Sequence, residues 1–596
     1  MMNQYKIEAD FEVTYSVTEE KNEGGVRLVR FAFDYAKEMS EKDRVIEISF
    51  SFPITDITGF WYPGSGVRRA LVADWVMPKN SMTAQYAPVM GFYNGNGLNR
   101  RLIGWSEINK KVDLQYGVHE ENGEMICVTR FYLSRQVAPK HYEVVLRDVE
   151  TVKPYWEVLR DMMNWWEEEK QLTYFKAPSV AKEPLYSFWY SYHQEVNEAN
   201  VEAESRRAAD MGFAAIIVDD GWQTADNNRG YAYCGDWEME PSKFPDFPAH
   251  VKRVQAMGLK YMLWFSVPFV GIYTKAWEKY KEKMLYMFDE KWGVLDIRYP
   301  ECREYLIGIY ERAVFEWGLD GLKLDFIDCF QLRPESPGWN EQMDYTDVQD
   351  ALVSLLTEVN ERLRAKKPDI LLEFRQAYVG PQIQTFGNML RVGDCPYSGV
   401  INRNGIADLR LLSKDVAVHS DMLMWHKDEK AEDAALQILN CLFGTLQFSV
   451  KLDTLTEETK KMTAFWMQFM REHRDLLQTS TIRPLEPENS YPEISVWDGK
   501  DTVLAHYSKG RVVNLTEEHE TLYYVHAVKE EPVVIRNCDG RAYHYQILNC
   551  MGEEVEYGEI AAATLAEAQS GGKITAGALT QLHVPCAGMV IFKSAC

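Results

Sequence analysis

The chain has 596 residues, of which 46% are hydrophobic and 26% charged, a composition typical of globular proteins with sizeable cores. Its 65 basic and 89 acidic residues give a formal net charge of −24, which argues against nucleic acid or an anionic membrane as partner, since both require a basic surface. The sequence has neither a run of about 18 apolar residues nor an apolar amino-terminal segment, so we expect no membrane span, no signal peptide and a cytoplasmic location.

The first part of the chain, residues 1–150, is predicted to form a β-sandwich. Alternating apolar and polar residues occur in runs such as Arg44–Phe50 and Met125–Tyr132, separated by Gly, Asn and Pro turns. Within it, the aromatic patch Phe60-Trp61-Tyr62-Pro63 fits either packing in a core or domain interface, or an aglycone subsite. A helical linker is predicted over 151–183, with a Trp- and Glu-rich helix at about 155–171.

Strand and helix patterns alternate over residues 184–480. The predicted strands are Ser187–Tyr192, Ala215–Val218, Tyr261–Phe265, Gly321–Phe326, Ile370–Phe374, Met389–Val392, Val416–His419 and Thr445–Val450. The predicted helices between them include Ala199–Met211, His250–Met257, Glu301–Trp317, Val348–Lys366 and Ala431–Leu442. This alternation predicts a (β/α)8 TIM barrel. A doubly wound open sheet is disfavoured, because no glycine-rich phosphate loop follows a strand.

The last part of the chain, residues 481–596, returns to β patterns, with runs such as Tyr523–Val528, Val533–Arg536 and Met589–Phe592. The predicted architecture is therefore multidomain α/β: a central catalytic barrel flanked by amino- and carboxy-terminal antiparallel β-sandwich domains. The ten cysteines are scattered with no Cys-x-x-Cys pair, and in a reducing compartment they are expected to be free, buried thiols.

Acidic residues stand at or just beyond the predicted carboxyl ends of the barrel strands: Asp219, Asp220, Asp325, Asp328, Glu373, Asp394 and Asp421. Four basic residues accompany them, Lys323, Arg375, Arg391 and His419. A barrel gathers all its strand ends on one face, so these side chains should converge where barrel enzymes keep their active sites. Paired carboxylates are the groups that glycoside hydrolysis requires. Lys323 and Asp325 lie two residues apart on one strand, so the ammonium should face the carboxylate's side and keep it ionised; the alternative for Lys323 is an internal salt bridge in the barrel mouth.

Two other kinds of site have weaker support. His193 and His419 lie near strand ends, but no His-x-His, His-Glu-x-x-His or Cys/His cluster accompanies them, so hydrogen bonding is favoured over metal ligation. We predict no metal and no other cofactor. A Ser/His/Asp hydrolase is disfavoured because no Gly-x-Ser-x-Gly motif occurs.

Five motifs in order resemble glycoside hydrolase family 36, the α-galactosidases of the melibiase clan: Asp219-Asp220-Gly221-Trp222, Gly235-Asp236-Trp237, Lys243-Phe244-Pro245, Val294-Leu295-Asp296-Ile297 and Lys323-Leu324-Asp325. The resemblance covers about half the chain. It implies a retaining mechanism with Asp325 as nucleophile and Asp394 as acid/base. It also implies that Asp219 and Asp220 bind the axial 4-hydroxyl and the 6-hydroxyl of galactose. The other expected substrate-binding residues are Trp222, Asp236, Trp237, Trp264, Lys323, Arg375 and Arg391.

The chain departs from the family pattern around the third, fourth and fifth strands. It reads Trp264-Phe265-Ser266-Val267-Pro268 where the family continues with Pro-Glu, and Leu324 follows Lys323 where Trp is usual. After the fifth strand it reads Glu373-Phe374-Arg375-Gln376-Ala377-Tyr378 instead of a Cys- and Gly-rich segment whose Arg contacts the 2-hydroxyl. The catalytic pair is unaffected, but the substituent at the 2-position is left open.

The expected function is hydrolysis of terminal α-galactosides by an exo-glycosidase with a carbohydrate as its only predicted ligand. Its alternatives on the same fold are an α-N-acetylgalactosaminide or other modified sugar as substrate, and transglycosylation, as in the plant raffinose-synthase relatives. Alternatives of a different class are a metal-dependent barrel hydrolase and a non-catalytic sugar-binding protein; the pair Asp325 and Asp394 argues against the latter. The resemblance also suggests a homo-oligomer.

Overall fold

The amino-terminal region of the computed structural model is a pair of facing antiparallel sheets. The structure describes residues 5–36, 43–133, 141–375, 378–529, 531–562 and 579–595. The sheets have the orders β1-β4-β10-β9-β6 and β2-β3-β11-β8-β7-β5, and their inner faces share a core that includes Phe31, Trp105 and Phe131. Strands β1 to β11 are Lys6–Ala9, Val13–Glu23, Val26–Tyr35, Arg44–Pro53, Gly59–Trp61, Lys79–Ser81, Val89–Tyr93, Asn99–Trp105, Val112–His119, Glu124–Leu133 and His141–Val149.

The central region is a parallel barrel surrounded by helices. Strands β12 to β22 are Leu185–Ser187, Ala215–Val218, Lys260–Ser266, Phe269–Gly271, Met284–Asp289, Trp292–Leu295, Gly321–Asp325, Leu371–Arg375, Met389–Arg391, Ala417–His419 and Gln447–Phe448. Helices α1 to α11 are Tyr155–Lys170, Trp189–Tyr192, Glu198–Asp210, Phe247–Gln255, Lys275–Tyr280, Pro300–Phe315, Val348–Lys366, Gly399–Leu411, Ala431–Leu439, Glu457–Glu472 and Arg474–Thr479.

Eight of these strands pair in the order β21-β20-β19-β18-β14-β13-β12-β22. Parallel bridges from His419 to Thr445 and from Leu423 to Phe448 join the two ends, so the sheet closes on itself. The remaining strands, β15 to β17, form a small antiparallel sheet after the third barrel strand. The predicted (β/α)8 barrel is confirmed.

The predicted barrel elements agree with the observed ones except at the first strand. Strand β13 and helix α7 have the predicted bounds. The predicted strand Ser187–Tyr192 is wrong: β12 ends at Ser187, and Trp189–Tyr192 is the short helix α2. The turn is held by a residue that follows the last barrel strand, which lies next to the first. Ser449 Oγ accepts hydrogen bonds from the backbone N–H groups of Tyr190 (3.1 Å) and Ser191 (3.3 Å). No local pattern encodes that contact.

The carboxy-terminal region is again a pair of packed sheets, with the orders β23-β24-β25-β27-β32-β29-β30 and β26-β28-β31. Most pairs are antiparallel, but β25 pairs with β27 and β26 with β28 in parallel. Strands β23 to β32 are Thr481–Leu485, Glu493–Trp497, Asp501–His506, Val512–Leu515, Thr521–His526, Glu531–Asn537, Tyr543–Leu548, Glu554–Ile560, Leu579–Val584 and Met589–Ser594.

A buried polar cluster joins the three regions. The carboxylate of Asp408, on α8, accepts hydrogen bonds from Arg69 Nη2 (2.7 and 2.8 Å), Trp61 Nε1 (3.1 Å) and the Tyr491 hydroxyl (2.6 Å). Trp61 and Arg69 belong to the first region and Tyr491 to the third. Within the aromatic patch at 60–63, Trp61 therefore packs in a domain interface, whereas Phe60 and Tyr62 lie in the core of the first region.

The cysteines in the described residues form no disulfide, as predicted, and seven of them are buried. Cys538 and Cys586 are only half-buried, so the prediction of burial is wrong for these two, and Cys596 lies outside the described residues. Over the same described residues, no helix combines the length and the apolar character needed to cross a bilayer.

Candidate active site

The charged side chains predicted at the strand ends form three groups of ion pairs in the barrel mouth. Lys323 on β18 pairs with Asp219 after β13, with Nζ 2.6 Å from Oδ2. Arg375 on β19 pairs with Asp325 at the end of β18. Arg391 on β20 pairs with three carboxylates, those of Glu373, Asp394 and Asp421.

Asp325 is buried and accepts hydrogen bonds on both carboxylate oxygens. Trp264 Nε1 donates to Oδ2 at 3.0 Å, and the backbone N–H of Phe326 donates to Oδ1 at 2.8 Å. Phe326 has a φ of 62°, a conformation that non-glycine residues adopt rarely and that turns the chain sharply after the strand. Burial alone would raise the pKa of Asp325, but the charges of Arg375 and Lys323 outweigh it, so the pKa lies below its ordinary value. The carboxylate is therefore ionised at neutral pH.

Lys323 has a different primary partner from the one expected. Its ammonium donates to Asp219, and it acts on Asp325 through the electric field, less strongly than Arg375 does. Both Lys323 and Asp219 are almost fully buried, which strengthens their attraction. The expectation that Lys323 helps to keep Asp325 ionised agrees with this field, but the direct ion pair belongs to Arg375.

Asp220 differs from its neighbour in having amide partners. Gln194 Nε2 donates to Oδ2 at 2.6 Å and Gln223 Nε2 to Oδ1 at 2.7 Å. Gly221 permits the approach of Gln194: its φ is 110°, and a Cβ there would lie 2.4 Å from the Gln194 Cα. Burial raises the pKa of Asp220 to about 6, although both amides favour the charged form.

The raised pKa of Asp220 predicts a penalty on stability. The folded chain holds the proton up to about pH 6, whereas the unfolded chain releases it near pH 3.8, so stability falls as pH rises between these values. The penalty is about 3 kcal/mol above pH 6. We expect Asp220→Asn to remove this fall, so that the difference in melting temperature between variant and wild type shifts in the variant's favour from pH 4 to pH 7. If the melting temperatures of Asp220→Asn and wild type differed by the same amount at pH 4 and at pH 7, the predicted penalty would be contradicted.

Arg391 is fully buried and lies among three carboxylates that differ in exposure. Asp421 is buried and also accepts from the Tyr190 hydroxyl (2.9 Å) and the Cys395 backbone N–H (2.6 Å). Glu373 is buried, with Arg391 Nε 3.7 Å from Oε1. Asp394 is half-exposed, with Oδ1 2.9 Å from Arg391 Nη2. Burial would raise the pKa of Asp394, but Arg391, then Lys323, lower it to about 2.

The aromatic residues predicted around the sugar lie in two layers. Trp264 contacts Asp325 directly. Trp222 and Trp237 are buried behind it, with ring centroids 5.7 Å apart, and Trp222 Nε1 donates to the Trp264 carbonyl oxygen (2.9 Å). Asp236 accepts from the first backbone N–H groups of α5, those of Lys275 (2.9 Å) and Ala276 (2.8 Å). These three side chains support Trp264 and its loop.

The two histidines have hydrogen-bond partners. His419 is buried and Nε2 lies 2.7 Å from the Ala181 carbonyl oxygen; burial lowers its pKa to about 4. His193 Nε2 lies 2.8 Å from Arg229 Nη2. Among the described residues, the group with metal-ligand spacing is Glu198, Glu202 and His250, away from the strand-end cluster. Arg253 already pairs with both of its carboxylates, at 3.0 and 2.8 Å.

Several residues at the site were not predicted from the sequence. Tyr378, Gln194 and Tyr190 each donate to a strand-end carboxylate. The half-buried ring of Tyr231 stacks on Trp264, with centroids 6.1 Å apart. These are neutral residues that belong to no motif, and only their position after a strand end could have drawn attention to Gln194 and Tyr378.

The fold and the site are those of a glycoside hydrolase. Carboxylates converge at the mouth of a (β/α)8 barrel beside indole rings, and they are either paired with cations or hydrogen-bonded to side-chain amides. The Melibiase family model matches residues 180–480, half of the chain. The chain belongs to the Melibiase family.

Curated relatives match over shorter segments. The chain is 24% identical over 200 residues to α-galactosidase 1 of Pediococcus pentosaceus, covering 31% of this chain and 26% of that protein. It is 23% identical over 241 residues to the α-galactosidase of Escherichia coli, covering 38% and 32%. The matched segments thus span about a quarter to a third of these relatives' length.

Solved structures match over nearly the whole chain. The GH36 α-galactosidase AgaA of Geobacillus stearothermophilus superposes with a TM-score of 0.64 at 15% identity, covering 99% of this chain and 89% of that one. A variant of AgaA in complex with raffinose gives 0.63 at 14%, with the same coverage. At these identities the likeness is one of fold, and it extends to the sheets on both sides of the barrel.

Proposed function

We propose that the chain is a retaining exo-glycosidase that hydrolyses terminal α-galactosides. The observation that carries the proposal is the pair of ionised carboxylates at the ends of β18 and β20, Asp325 beside Arg375 and Asp394 beside Arg391. The Melibiase family and the α-galactosidase relatives support galactose as the sugar. The cytoplasmic location, the homo-oligomer and the domain limits 1–150, 151–183, 184–480 and 481–596 remain predictions.

In the first step, Asp325 attacks the anomeric carbon and the bond to the leaving oxygen breaks. Asp394, protonated at that moment, gives its proton to the leaving oxygen. In the second step, the carboxylate of Asp394 takes a proton from water, the water oxygen bonds to the anomeric carbon, and the ester bond to Asp325 breaks. Two inversions give net retention, which requires carboxyl groups about 5–5.5 Å apart.

Asp394 must gain a proton that the free chain does not hold at neutral pH, since its pKa is about 2. Arg391 is also paired with Glu373 and Asp421, so Asp394 can leave it without stranding a buried cation. Asp394 is the half-exposed member of the three and has room to turn. A bound sugar would remove water from Asp394 and raise its pKa towards the value that a proton donor needs.

Asp219 and Asp220 are the proposed recognition pair. Two adjacent carboxylates with different partners, one ammonium and two amides, can accept hydrogen bonds from two neighbouring hydroxyls. A sugar that lacks or inverts one of these hydroxyls would leave a buried carboxylate oxygen unpaired, which is strongly discriminating.

The test is a comparison of turnover on the 4-nitrophenyl α-glycosides of galactose, N-acetylgalactosamine and glucose, with the anomer of the first product read by NMR. We expect the galactoside to be the best substrate by at least tenfold and the first product to be the α-anomer. The sequence Glu373-Phe374-Arg375-Gln376-Ala377-Tyr378 stands where the family has a Cys- and Gly-rich segment whose Arg contacts the 2-hydroxyl, so preference for the N-acetylgalactosaminide is the second candidate. A β-anomer as first product would overturn the retaining mechanism.

A further inference from the structure

The two oxygens of the Asp325 carboxylate have unequal surroundings. Oδ1 accepts from the Phe326 backbone N–H (2.8 Å) and the Tyr378 hydroxyl (3.4 Å), and it forms the ion pair with Arg375 Nε. Oδ2 accepts one hydrogen bond within the part of the chain that the structure describes, from Trp264 Nε1 (3.0 Å). A carboxylate oxygen has two lone pairs. Oδ1 is therefore fully occupied, and Oδ2 keeps a lone pair for a new bond.

Arg375 is itself fixed on three sides. Its Nη2 lies 3.2 Å from the Tyr378 hydroxyl and 3.7 Å from Asp328 Oδ1. The Tyr378 hydroxyl also lies 3.0 Å from Asp328 Oδ1, so Asp328 anchors both groups. The guanidinium stacks over the Phe326 ring, 4.9 Å from its centroid. A guanidinium with this many contacts has little freedom to swing away when substrate binds.

We infer that Arg375, fixed by Tyr378 and Asp328, is a positioning residue that occupies Oδ1 of Asp325 and thereby makes Oδ2 the oxygen that attacks the anomeric carbon. The inference rests on the proposed function, in which Asp325 is the nucleophile. It assigns Arg375 to the nucleophile rather than to a substituent of the sugar.

The same contact acts in both chemical steps. When the Oδ2–carbon bond forms and the leaving group departs with the proton of Asp394, Oδ1 becomes the carbonyl oxygen of the ester and keeps the hydrogen bond from the Phe326 N–H and the Arg375 guanidinium beside it. When water attacks, the Oδ2–carbon bond breaks and its electron pair returns to the carboxylate. Negative charge then reappears next to Arg375, which stabilises it. Loss of Arg375 should therefore slow the breakdown of the ester, and the lost positioning of Oδ2 should slow its formation.

The experiment compares Arg375→Gln and Arg375→Lys with wild type in their pH profiles. Two carboxylates titrate on the acidic side of kcat/KM, Asp220 near pH 6 and Asp325 at lower pH, so the lower limb reports the pKa of Asp325 in the free enzyme and is the limb compared here. Arg375 lowers that pKa, so Arg375→Gln should move the limb to higher pH by about one unit and reduce kcat at least tenfold. Arg375→Lys keeps the positive charge but lacks the planar guanidinium and its fixed N–H donors. Its limb should stay within about half a pH unit of wild type while kcat remains reduced.

Arg229→Gln is the matched control, because Arg229 is an exposed arginine of the same barrel mouth that pairs with His193 instead of Asp325. Its acidic limb should not move. Tyr378→Phe removes the hydroxyl that contacts Arg375 Nη2 and serves as the test if Arg375→Gln fails to fold. We expect a three- to tenfold lower kcat. An unmoved limb in Arg375→Gln, or a variant as fast as wild type, would overturn the inference.

Covalent trapping separates the failure of this inference from that of the proposed function. Wild type would be treated with an activated difluorinated α-galactoside, and the labelled peptide identified by mass spectrometry. No label on Asp325 and no turnover would overturn the proposed function and this inference together. With Asp325 labelled, a crystal structure of the trapped ester decides the rest: the sugar on Oδ2 supports the inference, and the sugar on Oδ1 contradicts it.

Discussion

Asp325→Ala should reduce kcat/KM by on the order of 10⁴-fold or more, because it removes the atom that forms the covalent bond. The loss should be chemical and not structural, since Arg375 keeps Asp328 as a partner, Lys323 keeps Asp219, and the barrel strands stay intact. Added azide should restore part of the turnover and give a β-glycosyl azide, because the small anion fits the space left by the carboxylate. Rates on a 4-nitrophenyl α-glycoside with and without azide check both points.

Asp394→Ala is the matched variant for this prediction. A lost proton donor costs most when the leaving group is poor, so its turnover of an activated aryl glycoside should exceed that of an unactivated oligosaccharide relative to wild type. Asp325→Ala should lose activity on the aryl glycoside and on the oligosaccharide to the same extent. If Asp325→Ala kept more than about a tenth of wild-type activity, Asp325 would not be the nucleophile, whatever Asp394→Ala does.

Asp408→Ala should lower the free energy of unfolding by about 3–5 kcal/mol, because it strands the buried guanidinium of Arg69 without its partner. Both side chains are almost fully excluded from water, at 0% and 2% exposure. Trp61 and Tyr491 lose a hydrogen-bond acceptor in the same change. Since these groups come from all three regions of the chain, we also expect the thermal transition to split. Calorimetry of wild type and variant measures both effects.

The double variant Arg69→Met, Asp408→Leu is the control for this prediction. It replaces both charges by apolar groups of similar size, so no buried charge is left unpaired, and most of the lost stability should return. The catalytic strand ends do not include Asp408, so the specific activity of the folded fraction should stay near that of wild type at low temperature. A single variant as stable as wild type would show that the cluster does not hold the regions together.

The barrel was predictable because its signals are local. Short apolar runs such as Ala215–Val218 and Gly321–Phe326 recur with amphipathic helices between them, and parallel strands covered on their outer side must be apolar. The strand-end acids follow from the same pattern, since the position of an acid in sequence fixes its place on a barrel rim. The first strand was misplaced because the turn at Trp189 depends on Ser449, about 260 residues away.

The sequence by itself determined the barrel, the two flanking β regions, the family resemblance and the strand-end positions of Asp325 and Asp394. Only the tertiary structure decided which charges meet: Lys323 with Asp219, Arg375 with Asp325, and Arg391 with three acids at once. Periodicity fixes the face on which a side chain lies, but a partner across the barrel is fixed by stagger and by loop conformations such as that of Phe326. The direction in which each carboxylate's pKa moves depends on those partners and on burial, which are properties of the closed barrel and of no single segment.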